Sequence, residues 1–168
     1  AFQEVVDDTL AEIRETAWVR NEYHLSDPSG EYLDRYGTVV LTRRPPVAVH
    51  HIELPSYMGR VLVAVDLALP GGALRVGAVH LESLDETLTR ITQLQRILDF
   101  LAGADSWVLM GDMNFDVGEP EEGALPAEVV DAWAQLRPGE RGATRDTERN
   151  PMAALFARLE LISIRRHC

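Results

Sequence analysis

Lysine is absent from this sequence. All sixteen basic residues are arginine, set against 27 acidic ones for a net charge of −11. A field of that sign repels phosphate backbones and anionic headgroups on average, which weighs against nonspecific binding to nucleic acid or acidic membrane. Cysteine is almost absent too: Cys168 is the single one and stands last, so an internal disulfide and a cysteine-based metal site are both excluded. That usage fits a reducing compartment, and an intracellular, cytoplasmic setting is the expectation. No apolar run reaches membrane-spanning length, because the longest, residues 61–69, is interrupted by Asp66. Ala1-Phe2-Gln3-Glu4 carries no signal-peptide pattern. What remains is 168 residues of ordinary apolar content with no repeat, low-complexity tract or linker, and a single domain spanning 1–168 is the expectation.

The stretch from Trp107 to Phe115 organises the rest. Trp107 to Met110 reads as a short buried strand, Gly111 allows a sharp turn, and Asp112 and Asn114 follow two residues apart. A carboxylate and a carboxamide at the carboxyl end of a core strand occupy the place where open α/β sheets put chemistry. Asp112 can take a proton from water, and Asn114 can hold that water or a phosphate oxygen. An Asx-stabilised turn is the competing reading.

A second polar group stands in an equivalent place. Residues 59–69 and 73–79 flank Pro70-Gly71-Gly72 as a hairpin, and the second strand ends on His80. The helix that follows has Ser83 and Glu86 as a capping box, with Leu84, Leu88, Ile91, Leu94, Leu98 and Leu101 forming a core stripe. Strand, His80, helix, strand, Asp112 is a unit expected to cross over right-handedly, with parallel strands that bring His80 and Asp112 to one edge. Glu4 sits where a short strand runs into a helix whose capping box is Thr9 with Glu12; a parallel arrangement would aim it at the same edge, and a carboxylate meeting the helix dipole is the plainer reading. His50 and His51, adjacent on a strand at residues 47–54, face opposite ways and are read as structural.

The remaining chain is less informative. Residues 21–35 read as a surface loop, 38–42 as a short strand, 117–126 as an acidic Gly/Pro loop, 129–136 as a short helix and 153–164 as a terminal strand. Arginines at 137, 141, 145 and 149 fall in a loop broken by Pro138, Gly139 and Gly142, where a phosphate-tracking patch and a solvated loop both stay open.

Taken together, Gln3-Glu4, His80, Gly111-Asp112-Met113-Asn114 and Arg158-Leu159-Glu160 resemble, in order, the motifs of the endonuclease/exonuclease/phosphatase superfamily. The closer likeness is to its tyrosyl-DNA phosphodiesterase 2 branch and covers nearly the whole chain. It is carried by His80-Leu81-Glu82-Ser83, by Arg90, Gln93 and Leu94, by Leu125-Pro126 with Asp131 and Trp133, and by Thr144, Asp146, Thr147 and Asn150. The resemblance implies an α/β, DNase I-like sandwich of two mixed β-sheets flanked by helices. It implies hydrolysis of a phosphodiester by an activated water, with a 5′-tyrosyl-DNA bond or another DNA–protein adduct among the substrates, as in DNA repair. Glu4 would bind Mg²⁺, with Mn²⁺ as an alternative; Asp112 would activate the water, Asn114 would hold it, and His80 would donate to a phosphate oxygen. Arg145 and Asn150 would contact substrate, and Glu160 would act from behind the site.

The departures are equally specific. The superfamily's Asn-bearing first strand and its terminal Ser-Asp-His strand have no counterpart, so the chain is expected to be incomplete at both ends. Glu160 replaces an aspartate, and Arg145 replaces an aromatic that could stack on a base or tyrosine. A fragment of a longer enzyme, a fold completed by a second chain, and a non-catalytic binding or assembly module each account for this. Within the catalytic reading, a phospholipid or inositol phosphate stays open as substrate.

Overall fold

The computed structural model describes residues 1–140, 142, 150 and 151. They fall into two compact units, Ala1–Leu125 and Pro126–Cys168. The first is built on a four-stranded sheet of β5 (Ala48–Glu53), β6 (Val61–Leu69), β7 (Gly72–His80) and β8 (Trp107–Asp112), in that order. β5, β6 and β7 are antiparallel and β8 runs parallel to β7, so the sheet is mixed. The hairpin forms where expected: Leu69 pairs with Gly72 across Pro70-Gly71, and Gly71 at φ 114° takes a conformation that other residues avoid. Two short antiparallel pairs complete the strands. β1 (Phe2–Val5) joins β3 (Gly37–Val39), and β2 (His24–Leu25) joins β4 (Leu41–Thr42).

Burial explains the layering. The run Leu62-Val63-Ala64-Val65 on β6 is apolar at every position because both faces of the sheet are covered. On one face Leu62, Ala64, Val79 and Leu81 meet Leu94, Ile97 and Leu101 of helix α3 (Thr87–Leu101). On the other, Val63, Val65 and Ala78 meet Val40. β3 lies against β6 and β7, β1 lies against β8, and Val5 and Val39 pack on Leu10 of α1 (Asp7–Glu15). Each fully buried leucine is worth about 2 kcal/mol of transfer free energy, so α3 and the β1–β3 pair hold the sheet from both sides.

Several expectations change. β8 is the edge of its sheet among the described residues, not a buried strand. Trp107 and Leu109 pack on the α3 core, while Val108 and Met110 on the alternate face are exposed. Helix α3 starts at Thr87, so Ser83 is no cap and Leu84 and Leu88 are 73% and 79% exposed. Its buried face carries Arg90 and Gln93 instead, at positions where a leucine stripe would leave gaps. α1 begins two residues before Thr9, with Asp7 and Asp8 in its first turn meeting the dipole and no side-chain cap. α2 (Ala17–Glu22) and β2 take up part of the expected loop at 21–35. The rest of that loop is drawn round Asp27, whose carboxylate accepts from Ser29 Oγ and from the amides of Gly30, Glu31 and Tyr32 at 2.8–3.2 Å. Burial acts to raise its pKa, and these four bonds outweigh that and lower it.

The acidic stretch at 117–126 contains a 3-10 turn, Pro120–Ala124, whose Glu121 is fully buried. Arg90 makes that possible, donating to Glu121 Oε1 at 2.7 Å, because a buried carboxylate persists only when paired. In the second unit a short helix, α4 (Ala132–Leu136), starts after Asp131, whose carboxylate caps the amides of Trp133 and Ala134. The strand expected at 153–164 lies outside the described residues.

Candidate active site

β7 and β8 end side by side, and their register sets His80 opposite Asp112. The ladder continues one step, Leu81 N donating to Asp112 O at 2.9 Å, so the two side chains leave the same edge of the sheet as the crossover predicts. Gly111 is required there. It has φ 138°, and a Cβ on it would lie 1.8 Å from the Val79 carbonyl oxygen. Its role is therefore the close approach of two strands as much as a turn.

Glu4 reaches His80 by another route. β1 pairs with β3, not with the four-stranded sheet, and its register shifts between Phe2 and Val5. Glu4 sits in that irregularity at φ 56°, unusual for a residue with a long side chain, and it brings Oε1 to 3.8 Å from His80 Nδ1. On the other side of the ring, Asp112 Oδ2 is 3.8 Å from His80 Nε2. The imidazole is buried, whereas the two carboxylates are more than half exposed.

Asn114, also at positive φ (53°), which asparagine tolerates, donates from Nδ2 to Leu81 O at 3.0 Å and to Ser83 Oγ at 3.1 Å. Its own amide donates to Asp112 Oδ1 at 3.1 Å, so an Asx-type turn and a cluster of polar side chains coexist in this motif.

Two residues that sequence reasoning did not assign to the site complete the cluster. Arg60, buried at the start of β6, donates from a terminal nitrogen to Ser83 Oγ at 2.8 Å and lies 3.4 Å from His80 Nε2. An arginine is always a donor, so Nε2 accepts and the ring proton is assigned to Nδ1, on the side of Glu4. Burial, and then the Arg60 charge, lower the His80 pKa; Asp112, Glu4 and Glu82 oppose them. Ser83 looked like a helix cap, and its distance from α3 shows only in three dimensions. The signal for Arg60 was an arginine directly before a strand that opens on five apolar residues, at the sheet edge that carries His80.

Behind the cluster is a buried scaffold. Glu82 is fully buried and accepts from Ser56 Oγ at 2.5 Å, Tyr57 N at 3.1 Å and Gln93 Nε2 at 3.1 Å. Ser56 Oγ in turn accepts from the Met58 and Arg60 amides at 3.0 Å each, which fixes the turn that delivers Arg60. In front is a cavity of about 60 Å³ lined by Glu4, Tyr32, Tyr36, His51, Arg60 and His80 among others. His50 and His51 do face opposite ways: His50 meets Asp66 at 3.1 Å, while His51 stacks on Tyr32 at 3.7 Å and faces this cavity.

The structure thus brings together Glu4, His80, Asp112 and Asn114. Arg145 and Glu160 lie outside the described residues, and Asn150 belongs to the second unit. No group of three or more histidine, cysteine or carboxylate side chains forms a metal cage among the described residues. The donor set does fit a hard cation that keeps most of its water, since Glu4 and Asp112 offer exposed carboxylate oxygens on either side of His80. No described helix is long and apolar enough to cross a membrane.

Comparison with known proteins places the fold. TDP2 from D. rerio, solved in complex with single strand DNA product, superposes with a TM-score of 0.69 at 26% identity, over 82% of this chain and 56% of that one. TDP2 from C. elegans gives 0.67 at 23% identity, over 89% and 47%. ANGEL2, a 2′,3′-cyclic phosphatase, gives 0.54 at 21%, over 70% and 40%, a likeness of fold alone. The chain spans about half the length of these solved relatives. No curated protein matches by sequence. The family profile described as Endonuclease/Exonuclease/phosphatase family matches residues 1–150, nearly the whole chain, and the protein belongs to that family, with its DNase I-like α/β fold.

Proposed function

We propose that this chain carries the catalytic half-site of a metal-dependent phosphodiesterase that hydrolyses a nucleic-acid phosphodiester by attack of an activated water. The observation that supports it most directly is the His80–Asp112 register, with Glu4 brought to the far side of the same imidazole from a different sheet. The likeness to a TDP2 solved with single strand DNA product supports a DNA 5′-end as substrate, with a 5′-tyrosyl linkage as its most specific form.

The residues divide the work. Asp112, exposed and oriented by the Asn114 amide, accepts a proton from the attacking water. His80, its Nε2 occupied by Arg60, presents the Nδ1 proton to a non-bridging phosphate oxygen as charge builds there. Ser83 Oγ accepts from both Arg60 and Asn114, which leaves its own proton to donate to the substrate. Glu4, at the exposed rim, would hold Mg²⁺ or Mn²⁺. The bound cation supplies neutralisation of phosphate charge and stabilisation of the leaving oxygen.

The test is direct. This 168-residue chain, incubated with Mg²⁺ and a 5′-phosphotyrosyl oligonucleotide beside a simple aryl phosphodiester, is expected to release product in a chelator-sensitive reaction. Absence of turnover on both substrates, in folded protein with metal present, would sink the catalytic reading in favour of a binding or assembly module.

A further inference from the structure

Ser83, which accepts from both Arg60 and Asn114, stands on a strained segment. Leu84 is held at φ 65°, a left-handed conformation that leucine avoids, yet its side chain is 73% exposed. Packing therefore does not offset that strain. What the conformation secures is the direction of the Leu84 carbonyl, which accepts from Arg90 at 2.7 Å and from the Glu86 amide at 3.0 Å.

Arg90 reaches this segment from the buried face of α3, and each of its three guanidinium nitrogens has a partner. Nε donates to Glu121 Oε1 at 2.7 Å and Nη2 to Thr87 Oγ1 at 3.3 Å. Nη1 donates to Glu82 O at 3.1 Å and to Leu84 O at 2.7 Å, the carbonyls on either side of Ser83. A guanidinium and a carboxylate commonly pair as a parallel fork that satisfies both oxygens. Here the fork is left open. Glu121 Oε2 is buried with no hydrogen-bond partner among the described residues, while Nη1 is turned to the two carbonyls. An ion pair built for stability alone would close on itself, and local rules are broken this way where a site is being served.

From these two costs around one serine we infer that Arg90 is a positioning residue of the site. It clamps the carbonyls of Glu82 and Leu84, and so sets the Ser83 hydroxyl where Arg60 and Asn114 meet. Glu121 anchors the clamp. The inference rests on the phosphodiesterase reading for what Ser83 does to a substrate, though not for the clamp itself.

The connections agree with it. Glu121 belongs to the stretch that follows Asn114, and Met113, Phe115, Ala124 and Leu125 of that stretch pack on the α3 core. Arg90 thus links the two segments whose side chains meet at Ser83. One turn along α3, Gln93 holds the first segment at a second point, accepting from Glu82 N at 2.9 Å and donating to Glu82 Oε2 at 3.1 Å. Two polar residues on the buried face of the helix are therefore both bonded to the segment that carries Ser83.

Arg90→Lys keeps a charge beside Glu121 but replaces the planar fork by one ammonium, which cannot serve Glu121 and both carbonyls from one point. In ¹⁵N-labelled chain without substrate, the Asn114 side-chain amide signal reports its bond to Ser83 Oγ. Arg90→Lys is expected to shift that signal toward the position it takes in Ser83→Ala. Turnover per folded molecule is expected to fall about tenfold, the worth of one hydrogen bond. In a chain already carrying Ser83→Ala, Arg90→Lys should change turnover by less than about twofold, because both act through one hydroxyl. Ile97→Val, in the core of the same helix, is expected to lower stability and leave the Asn114 signal in place. A folded Arg90→Lys with an unmoved Asn114 signal, an equal shift in Ile97→Val, or full additivity with Ser83→Ala overturns the inference. If Arg90→Lys does not fold, Glu121→Gln replaces it, removing the anchoring charge at constant size, with the same expectation and the same overturning results. The Asn114 signal needs no catalysis. A chain that hydrolyses nothing but shifts this signal on Arg90→Lys keeps the clamp while the catalytic reading falls, and turnover with an unmoved signal does the reverse.

Discussion

Two clusters made of the same three residue types, histidine, aspartate and arginine, sit on one sheet and are built to opposite standards. At one, Arg75 grips Asp66 with two bonds of 2.7 and 2.9 Å, His50 adds a third at 3.1 Å, and Phe100 covers both Arg75 and His50. Asp66 is fully engaged there, and its carboxyl is held down to about 2, first by the Arg75 bond, against burial, with help from His50. At the other, His80 stands 3.4 Å from Arg60 and 3.8 Å from each of Glu4 and Asp112, with nitrogens of both His80 and Arg60 left unpaired among the described residues. A closed cluster stabilises the fold, whereas an open one directs its bonding capacity outward. The same side chains serve either purpose, and the difference lies in what remains unsatisfied.

The largest expected effect separates the clusters by function. Asp112→Asn removes the proposed base from the open cluster, and on that proposal turnover is expected to fall about a thousandfold with the melting temperature almost unchanged, since the side chain is exposed and bonds mainly to its own turn. Turnover within a factor of two of the original would break the contrast. Next is Gly111→Ala, which acts on the geometry rather than the chemistry. A methyl group 1.8 Å from the Val79 oxygen at a φ of 138° forces β7 and β8 apart. A loss of roughly 3 kcal/mol or more in urea unfolding is expected, with turnover lost in whatever remains folded.

How much of this was legible in the sequence follows from which forces act locally. His80 and Asp112 could be paired because the handedness of a strand–helix–strand crossover is nearly invariant, so two strand ends identify one edge. Glu4 could be placed at a strand-to-helix junction, but nothing local showed that its strand belongs to a different sheet and pairs with β3. Ser83 and Leu84 misled for one reason. Leu84 adopts φ 65° with its carbonyl accepting from Arg90 and from the Glu86 amide, so the chain makes a turn where spacing predicts a helix. Arg60 was illegible as a site residue because its place there depends on His80, 20 positions away, whose burial only the assembled sheets create. Arg145 and Glu160 lie beyond the described residues, so the family resemblance alone speaks for them.

The closed cluster has its own test, smaller in size and opposite in character. Asp66→Asn keeps the shape but removes the charge that Arg75 and His50 share, leaving a half-buried guanidinium with a weaker partner. A loss of about 2 kcal/mol is expected in denaturant unfolding, with turnover per folded molecule unchanged. A fall in turnover at full occupancy of the folded state would mean that the two clusters are coupled through β6 and β7, and the contrast between them would need redrawing.

The smallest expected effect is the pH dependence of that same carboxylate. Asp66 titrates at about 2 in the folded chain against an ordinary value of 3.8, so between these values the unfolded chain binds more protons than the folded one. Its contribution is therefore complete above pH 4 and is lost as pH falls through about 2. The site is partly solvated, so the contribution is about 1 kcal/mol after screening. Unfolding free energies of the original chain and Asp66→Asn, measured from pH 6 down to pH 2, should converge toward the acid end. Parallel curves would mean that Asp66 is no better satisfied than an exposed aspartate. The distinction between a closed cluster and an open one would then rest on the orphaned nitrogens around His80 alone.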